Sequence, residues 1–380
     1  MPDTTTPFRS WPRAFLLTLP IALWGLLMMT PALKGTDGVA KATALLSEAF
    51  MAVLFLMMMR TGQTHRWRVI FFATLGFLFP VGFIINLVHL RGSMSLPVEH
   101  IISGDTPFCF MVLPMTIIPA ALNRVLIFPG SILPTPSNQH AVATMIGLWM
   151  AATLVLGKAW CAYGCFFGGI EEGFASLRRR PLLKHLNPLF HYGPWAVLVT
   201  IVLFSLVSYA PFYCDWLCPF KAVTEFGEIN SARTILQAVI FFSLFLGLVV
   251  ILPLLTKKRT QCAFFCPFGA FQSLFAKISP FRIKVDRASC KDCGACVTAC
   301  PNLSLDDEML AKGTTRLSCM RCGACVDACR KGAIRWHVIG TQAPSERARL
   351  LFLYAGWGFA CVFGASIIAS SLTTFLHLFV

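Results

Sequence analysis

The chain is 380 residues long, 56% hydrophobic and 13% charged, with mean hydropathy +0.70 and a formal net charge of +15. That balance excludes a soluble globular domain, because runs of about twenty apolar residues, each long enough to cross a bilayer as a helix, recur along it. The basic excess points to nucleic acid only until the charges are placed, and the 16 cysteines point to disulfides only until their spacing is read.

Arg9 and Arg13 precede an apolar run from Ala14 to Thr30 with no small-x-small cleavage site after it, which reads as a retained signal-anchor helix. Further spans are expected over Ala42–Met59, Val69–Val88, Ala141–Leu156, Trp195–Ala210, Ile235–Leu255 and Leu350–Ser370. Between the third and fourth, Phe108–Phe128 is apolar but broken by Pro114 and Pro119 and carries Arg124. Lys and Arg concentrate in cytoplasmic loops near span ends. With the N-terminus inside and Phe108–Phe128 re-entrant, Arg60, Arg66, Arg68, Arg178–Arg180, Lys184 and Lys257–Arg259 all lie inside. Only Lys34, Lys41, Arg91, Arg124, Lys221 and Arg233 then lie outside, six of the 32 basic residues. A crossing at Phe108–Phe128 would instead turn Arg178–Arg180 outward. The expectation is an α-helical integral membrane protein of seven spans plus a re-entrant segment, multi-pass in the bacterial inner membrane, N-in and C-out. The basic excess is then a topology signal, and no nucleic-acid partner is expected.

Cysteines follow three of these spans. After the fourth comes Lys158-Ala-Trp-Cys161-Ala-Tyr-Gly-Cys165-Phe-Phe-Gly168-Gly169, and after the sixth Arg259-Thr-Gln-Cys262-Ala-Phe-Phe-Cys266-Pro-Phe-Gly269-Ala270. Both are expected at the cytoplasmic membrane surface, where together they supply the four thiolates that a [4Fe–4S] cube needs. The bland reading is buried structural cysteines or a redox disulfide. A third copy, Cys214-Asp-Trp-Leu-Cys218-Pro219, follows the fifth span and is expected outside. For it three readings stay open: a disulfide in an oxidising compartment, a metal site completed by Cys109 and another ligand, or, should the loop not face outside, a contribution to the inner cluster. Cys361, inside the last span, reads as a small apolar core residue.

Near the C-terminus, Cys290-x-x-Cys293-x-x-Cys296-x-x-x-Cys300-Pro and Cys319-x-x-Cys322-x-x-Cys325-x-x-x-Cys329 carry the spacing of two-cluster ferredoxins, in which the fourth cysteine of each run serves the other cluster. One cluster is assigned to Cys290, Cys293, Cys296 and Cys329, the other to Cys319, Cys322, Cys325 and Cys300. Zinc ribbons use two pairs of cysteines, a different pattern. The domains are then 1–139, N-terminal helices and re-entrant segment; 140–280, core helices with the cysteine loops; 281–345, a small α+β two-cluster ferredoxin insert on the cytoplasmic side; and 346–380, a final span.

Glu48 falls inside the second span, and an intramembrane acid is a functional candidate by default, with a bonded structural carboxylate as the rival. His89, His140 and His377 fall at outer span ends, where a pair can ligate haem b or one can exchange protons with a quinol. Glu48, His89 and His140 are therefore the candidates for a quinone or proton site. No nucleotide loop, triad or zinc-protease motif indicates hydrolytic chemistry.

The cysteine loops after membrane spans, followed by the double ferredoxin run, resemble the NapH/MauN-type membrane polyferredoxins and the C-terminal half of NosR-type proteins, over roughly residues 141 to 340. Phe166 stands where the loops usually carry Pro, Arg330 where the second ferredoxin run usually does, and three N-terminal spans and one C-terminal span are added. The resemblance implies a relay of electrons between cytoplasmic-side [4Fe–4S] clusters and the quinone pool or a periplasmic or cytoplasmic redox partner, as an electron-transfer subunit of an oxidoreductase. Its alternatives are an assembly or regulatory factor supplying reducing equivalents to a maturing periplasmic metalloenzyme, and the membrane anchor of a larger complex.

Overall fold

A computed structural model describes residues 10–91, 142–178, 180–183, 186–208, 212–224 and 231–379, and these are mostly helical with one small sheet. The long helices are α1 (Trp11–Met28), α2 (Gly38–Thr61), α3 (Thr64–Arg91), α4 (Val142–Leu156), α5 (Phe166–Leu177), α6 (Gly193–Ser208), α7 (Ala232–Leu244) and α8 (Pro267–Phe275). The ferredoxin region follows as β1 (Phe281–Val285), α9 (Ala295–Ala299), α10 (Ala324–Ala328) and β2 (Ile334–Val338). α11 (Ser345–Ala360) then runs through a π-helical turn, Cys361–Ala365, into α12 (Ser366–Leu376).

Local chemistry sets the ends of these elements. Asp37 caps α2, its carboxylate accepting from the Val39 N–H at 2.8 Å, and α2 stops at Gly62, whose left-handed backbone lets its N–H reach Met58 O. A reciprocal Ser231–Thr234 capping box starts α7. Five described helices are long and apolar enough to cross a bilayer: Trp11–Met28, Gly38–Thr61, Leu189–Val207, Ala232–Thr256 and Ser345–Leu376. A sixth arises if Trp149–Tyr163 and Phe166–Leu177, bent by 46° at the first cysteine loop, count as one. The span expected to close at Leu156 thus continues in broken form. Phe108–Phe128 lies outside the described residues.

The bundle core is aromatic. Trp357 of α11 is fully buried, 5.1 Å from the ring of Phe71 and 6.1 Å from that of Phe55, and donates to Met51 O. α3 and α5 touch backbone to backbone: a Cβ on Gly76 would collide with Ile170 N, and one on Gly169 with Phe72 O. Small residues at such crossings are what lets helices approach this closely in a bilayer.

The two strands pair antiparallel in the register Phe281↔Val338, Ile283↔Trp336 and Val285↔Ile334. Phe281, Ile283, Val285, Ile334 and Trp336 face inward, and Phe352 of α11 stacks on Trp336 at 4.6 Å. Polar side chains then tie the ferredoxin region to helix ends. Lys258 Nζ donates to Val297 O, Thr298 O and Cys300 O at the end of α9. Arg321, from the second cysteine run, donates to Leu156 O at the end of α4 and to Ala276 O just past α8. Asp327 of α10 accepts from the His65 N–H at the start of α3 at 2.7 Å. Carboxylates at helix starts and cations at helix ends match the orphan groups and the dipole of each helix.

Candidate metal centre

The two ferredoxin runs are built alike. Asp292 and Gly294 in the first, and Arg321 and Gly323 in the second, all have positive φ (48°, 68°, 53° and 83°). These left-handed residues curl each C-x-x-C-x-x-C loop so that successive N–H groups line a concavity, the backbone geometry that suits anions and iron–sulfur cores. Cys296 lies within electrostatic reach of Cys329 and Cys290, and Cys325 within reach of Cys319, Cys300 and Cys322 as well as Cys296.

The second set lines a cavity of ≈ 360 Å³, mouth included, whose wall holds Cys300, Cys319, Cys322 and Cys325 with Ser304 and Met320. The Ser304 N–H donates to Cys300 Sγ at 3.2 Å. Burial first, and then the neighbouring thiols, push the Cys325 thiol well above its ordinary value. Thiols held this close resist ionising together until a metal core offsets their charge, so a wall of four cysteines fits a [4Fe–4S] group. Among the described residues no three Cys, His, Asp or Glu converge as ligands of a single ion would.

The two cysteine loops of the membrane core come together as well. Cys161, Cys165, Cys262 and Cys266 are all buried, and Cys266 lies within reach of Cys161, Cys165 of Cys161 and Cys266, and Cys262 of Cys266 and Cys165. The Gly168 N–H points at Cys165 Sγ (3.5 Å), and the Gly269 N–H stands in the same relation to Cys266. Cys161 Sγ donates to Gln272 Oε1 at 3.0 Å.

Each copy also reaches into the other. Arg259, three residues before Cys262, packs over Gly168 of the first copy so closely that a Cβ there would collide with Arg259 Nη2. Lys158, three residues before Cys161, lies over Gly269 of the second, its Nζ 3.2 Å from where a Cβ would stand. The cations and glycines are thus exchanged between the two copies.

Arg259 is fully buried and links several groups. Its Nη1 donates to Cys161 O (2.7 Å) and approaches Met320 Sδ (3.1 Å), and its Nη2 approaches Cys262 Sγ (3.1 Å). It stands 3.6 Å from Glu171 and 3.7 Å from Glu172. Arg68 pairs with Glu172 and donates to Ala162 O, and Glu171 accepts from the Gln261 N–H at 2.5 Å. Sequence reasoning missed Glu171 and Glu172, although two adjacent acids in an apolar stretch were a visible signal.

The third loop packs on the first two. Phe220 stacks on Phe167 at 4.2 Å, and Tyr213 OH accepts from Gln261 Nε2 at 3.0 Å while lying within reach of Cys214, Cys218 and Cys266. The third loop, expected outside and away from the other two, thus lies beside the inner cysteines instead. Glu48 is buried between α1, α2 and the π turn, with no hydrogen-bond partner on either oxygen among the described residues. His377 pairs with Asp37 at 2.9 Å, and Cys361 is fully buried as a core residue. Cys109 and His140 lie outside the described residues, and at His89 the description covers the backbone alone.

Comparison with known proteins finds iron–sulfur domains over all of these cysteine runs. Residues 282–330 match the 4Fe-4S dicluster domain, and 138–184, 190–229 and 238–286 match three copies of the 4Fe-4S binding domain, one around each paired-cysteine loop. The chain is similar to the methylamine utilization ferredoxin-type protein MauN of Paracoccus denitrificans, 27% identical over 44% of this chain and 56% of that one. It is similar to the ferredoxin-type protein NapH of Haemophilus influenzae at 28%, over 42% and 53%, and to YccM of Escherichia coli at 24%, over 46% and 50%. The chain therefore spans little more than half the length of these relatives. No solved structure matches it.

Proposed function

We infer that this chain, one of the NapH/MauN-type polyferredoxins, is a membrane electron-transfer protein with two [4Fe–4S] clusters in its ferredoxin region and a third held by Cys161, Cys165, Cys262 and Cys266. When bound, such clusters accept and donate single electrons at potentials set by charge, sulfur hydrogen bonds and burial. The residues around them supply those settings. The Ser304 and Gly168 N–H groups and the Arg259 guanidinium point at ligand sulfurs. Lys158, Arg68 and Arg259 bring three buried positive charges against the two of Glu171 and Glu172, leaving one cation in excess beside an anionic group.

One observation carries the reading. Arg259 spans from Cys262 Sγ to Met320 Sδ at 3.1 Å each, so the inner cysteines and the second ferredoxin set are one side chain apart. The ferredoxin region is read as cytoplasmic from the basic loops on its face. The partner at the other end is a quinone or an outer redox protein, with Glu48, His89 and His140 as candidates for quinone or proton contact. A second reading is the supply of electrons to an enzyme maturing outside.

Iron and acid-labile sulfide decide the cluster count, because three cubes require about twelve irons per chain and two about eight. Cys161→Ser should lower the value from about twelve to about eight, and a wild-type value near eight would remove the third site. Reduction of the clusters by quinol in isolated protein supports the relay. Clusters that stay oxidised with quinol, yet are reduced by a cytoplasmic donor, support the second reading.

A further inference from the structure

A second chemical centre lies in the N-terminal bundle. Glu48, on α2, is 4% exposed, and neither carboxylate oxygen has a hydrogen-bond partner among the described residues. Its carboxyl lies over Gly25 of α1, where a Cβ would collide with it, so the glycine makes the space that the acid occupies. The element closing the site is the π-helical turn Cys361–Ala365 between α11 and α12. Single π turns inside helices frequently mark functional positions. Cys361 is the titratable side chain facing Glu48 from this turn, and α1 offers none there among the described residues. An ionised carboxylate with no donor in such surroundings is strongly disfavoured, so the group is held as the neutral acid.

The end of the bundle away from the ferredoxin region carries the exposed Asp37–His377 pair, 2.9 Å apart. Between that pair and Glu48, about 16 Å along α2 at 1.5 Å per residue, the packed face is not purely apolar. Thr43 and Thr373 share a 2.6 Å hydroxyl contact, and one turn further on Ser47 Oγ donates to Ala365 O at 2.7 Å. A hydroxyl that donates to a carbonyl still has lone pairs with which to accept a proton's hydrogen bond.

We propose that Glu48 is a proton-binding site of the helix bundle, exchanging its proton with the Asp37–His377 end along the face that carries Thr43, Thr373 and Ser47. In this step the Glu48 carboxyl releases one proton to leave a carboxylate and takes one proton back, with no electron involved. The proposal rests on the reading of Glu48 as a candidate proton contact and gives it a route; the clusters, tested by their iron count, can fail without it. A protein that moves electrons at one face gains from it a place to store a proton in its interior.

The test is infrared spectroscopy of the full-length protein in lipid vesicles. The expected result is a protonated-carboxyl C=O band in an apolar environment that disappears in Glu48→Gln and moves down in frequency on transfer to D2O. Gln is close in shape to the neutral acid, so that variant keeps the packing, and the D2O measurement needs only the wild-type chain. Thr43→Val with Thr373→Val should slow the D2O shift roughly tenfold, the factor that about 1.4 kcal/mol of added barrier gives. A band unchanged by Glu48→Gln overturns the proposal, as does a Glu48 band that never responds to D2O. An exchange rate untouched by the double Thr variant overturns the route.

Discussion

Arg259→Gln separates the proposed inner cluster from the rest of the protein. The guanidinium touches Cys262 Sγ and Cys161 O and is fully buried, so its charge acts on that site with little screening from solvent. A unit charge about 5 Å from the site, at an effective dielectric near 20, favours an added electron by about 3 kcal/mol. With one-electron chemistry at about 60 mV per 1.4 kcal/mol, its loss lowers the potential by on the order of 100 mV. Glu171 and Glu172 bring the effect below that limit, since each loses a cation 3.6–3.7 Å away and the pair relaxes. Arg259→Lys keeps the charge but not the fork, so it should shift the potential by less than half as much. The assay is an EPR-monitored redox titration of full-length protein with iron counted in the same sample. An unchanged inner potential in Arg259→Gln, at full iron content, would refute the claim that this guanidinium sits beside a cluster.

Further outcomes follow from particular contacts. Gly168→Ala should cost the inner cluster about four irons per chain, because the added methyl meets a guanidinium pinned on several sides, whereas Gly269→Ala meets Lys158 Nζ only at 3.2 Å and should keep its iron. Gly76→Ala sets a methyl against the Ile170 backbone and should destabilise the α3–α5 crossing by several kcal/mol, of the order seen for overpacked cores, read as a lower midpoint of thermal unfolding. Asp306 caps the short helix Asp307–Ala311 and pairs with Arg316 at 2.6 Å. Against burial, which raises it, the cap and Arg316 hold the Asp306 carboxyl below its ordinary value. Its contribution is therefore present above the ordinary carboxylate range and lost as pH falls through the folded value. Asp306→Ala should cost about 1 kcal/mol at neutral pH and almost nothing in acid, measured by unfolding at both.

The ferredoxin run was legible because eight cysteines at fixed spacing admit few chemistries, and the loop of Cys161 and Cys165 was matched to that of Cys262 and Cys266 by pattern alone. The exchange of Lys158 and Arg259 between copies was not legible. Nothing in a linear pattern says that a residue three before a cysteine will pack on a glycine about a hundred positions away. The Arg68–Glu172 and Arg259–Glu171 pairs were hidden for a related reason. The topology rule puts basic residues in loops, whereas Arg68 and Arg259 turn inward and are fully buried. The seat of Arg321 was also invisible, since Gly157, whose φ is 61°, signals a turn but not which cation fills it.

The crossed cations have a consequence for how the protein can be divided. Each copy owns two thiols, but the charge that settles over its glycine comes from the other, so neither half contains a complete site. A fragment ending before residue 238 would carry Lys158 with no Gly269 to cover and Gly168 with no Arg259 above it. The duplicated loops are therefore not spare copies of one another. Losing either removes the inner site whole, and the two halves have meaning only as a pair.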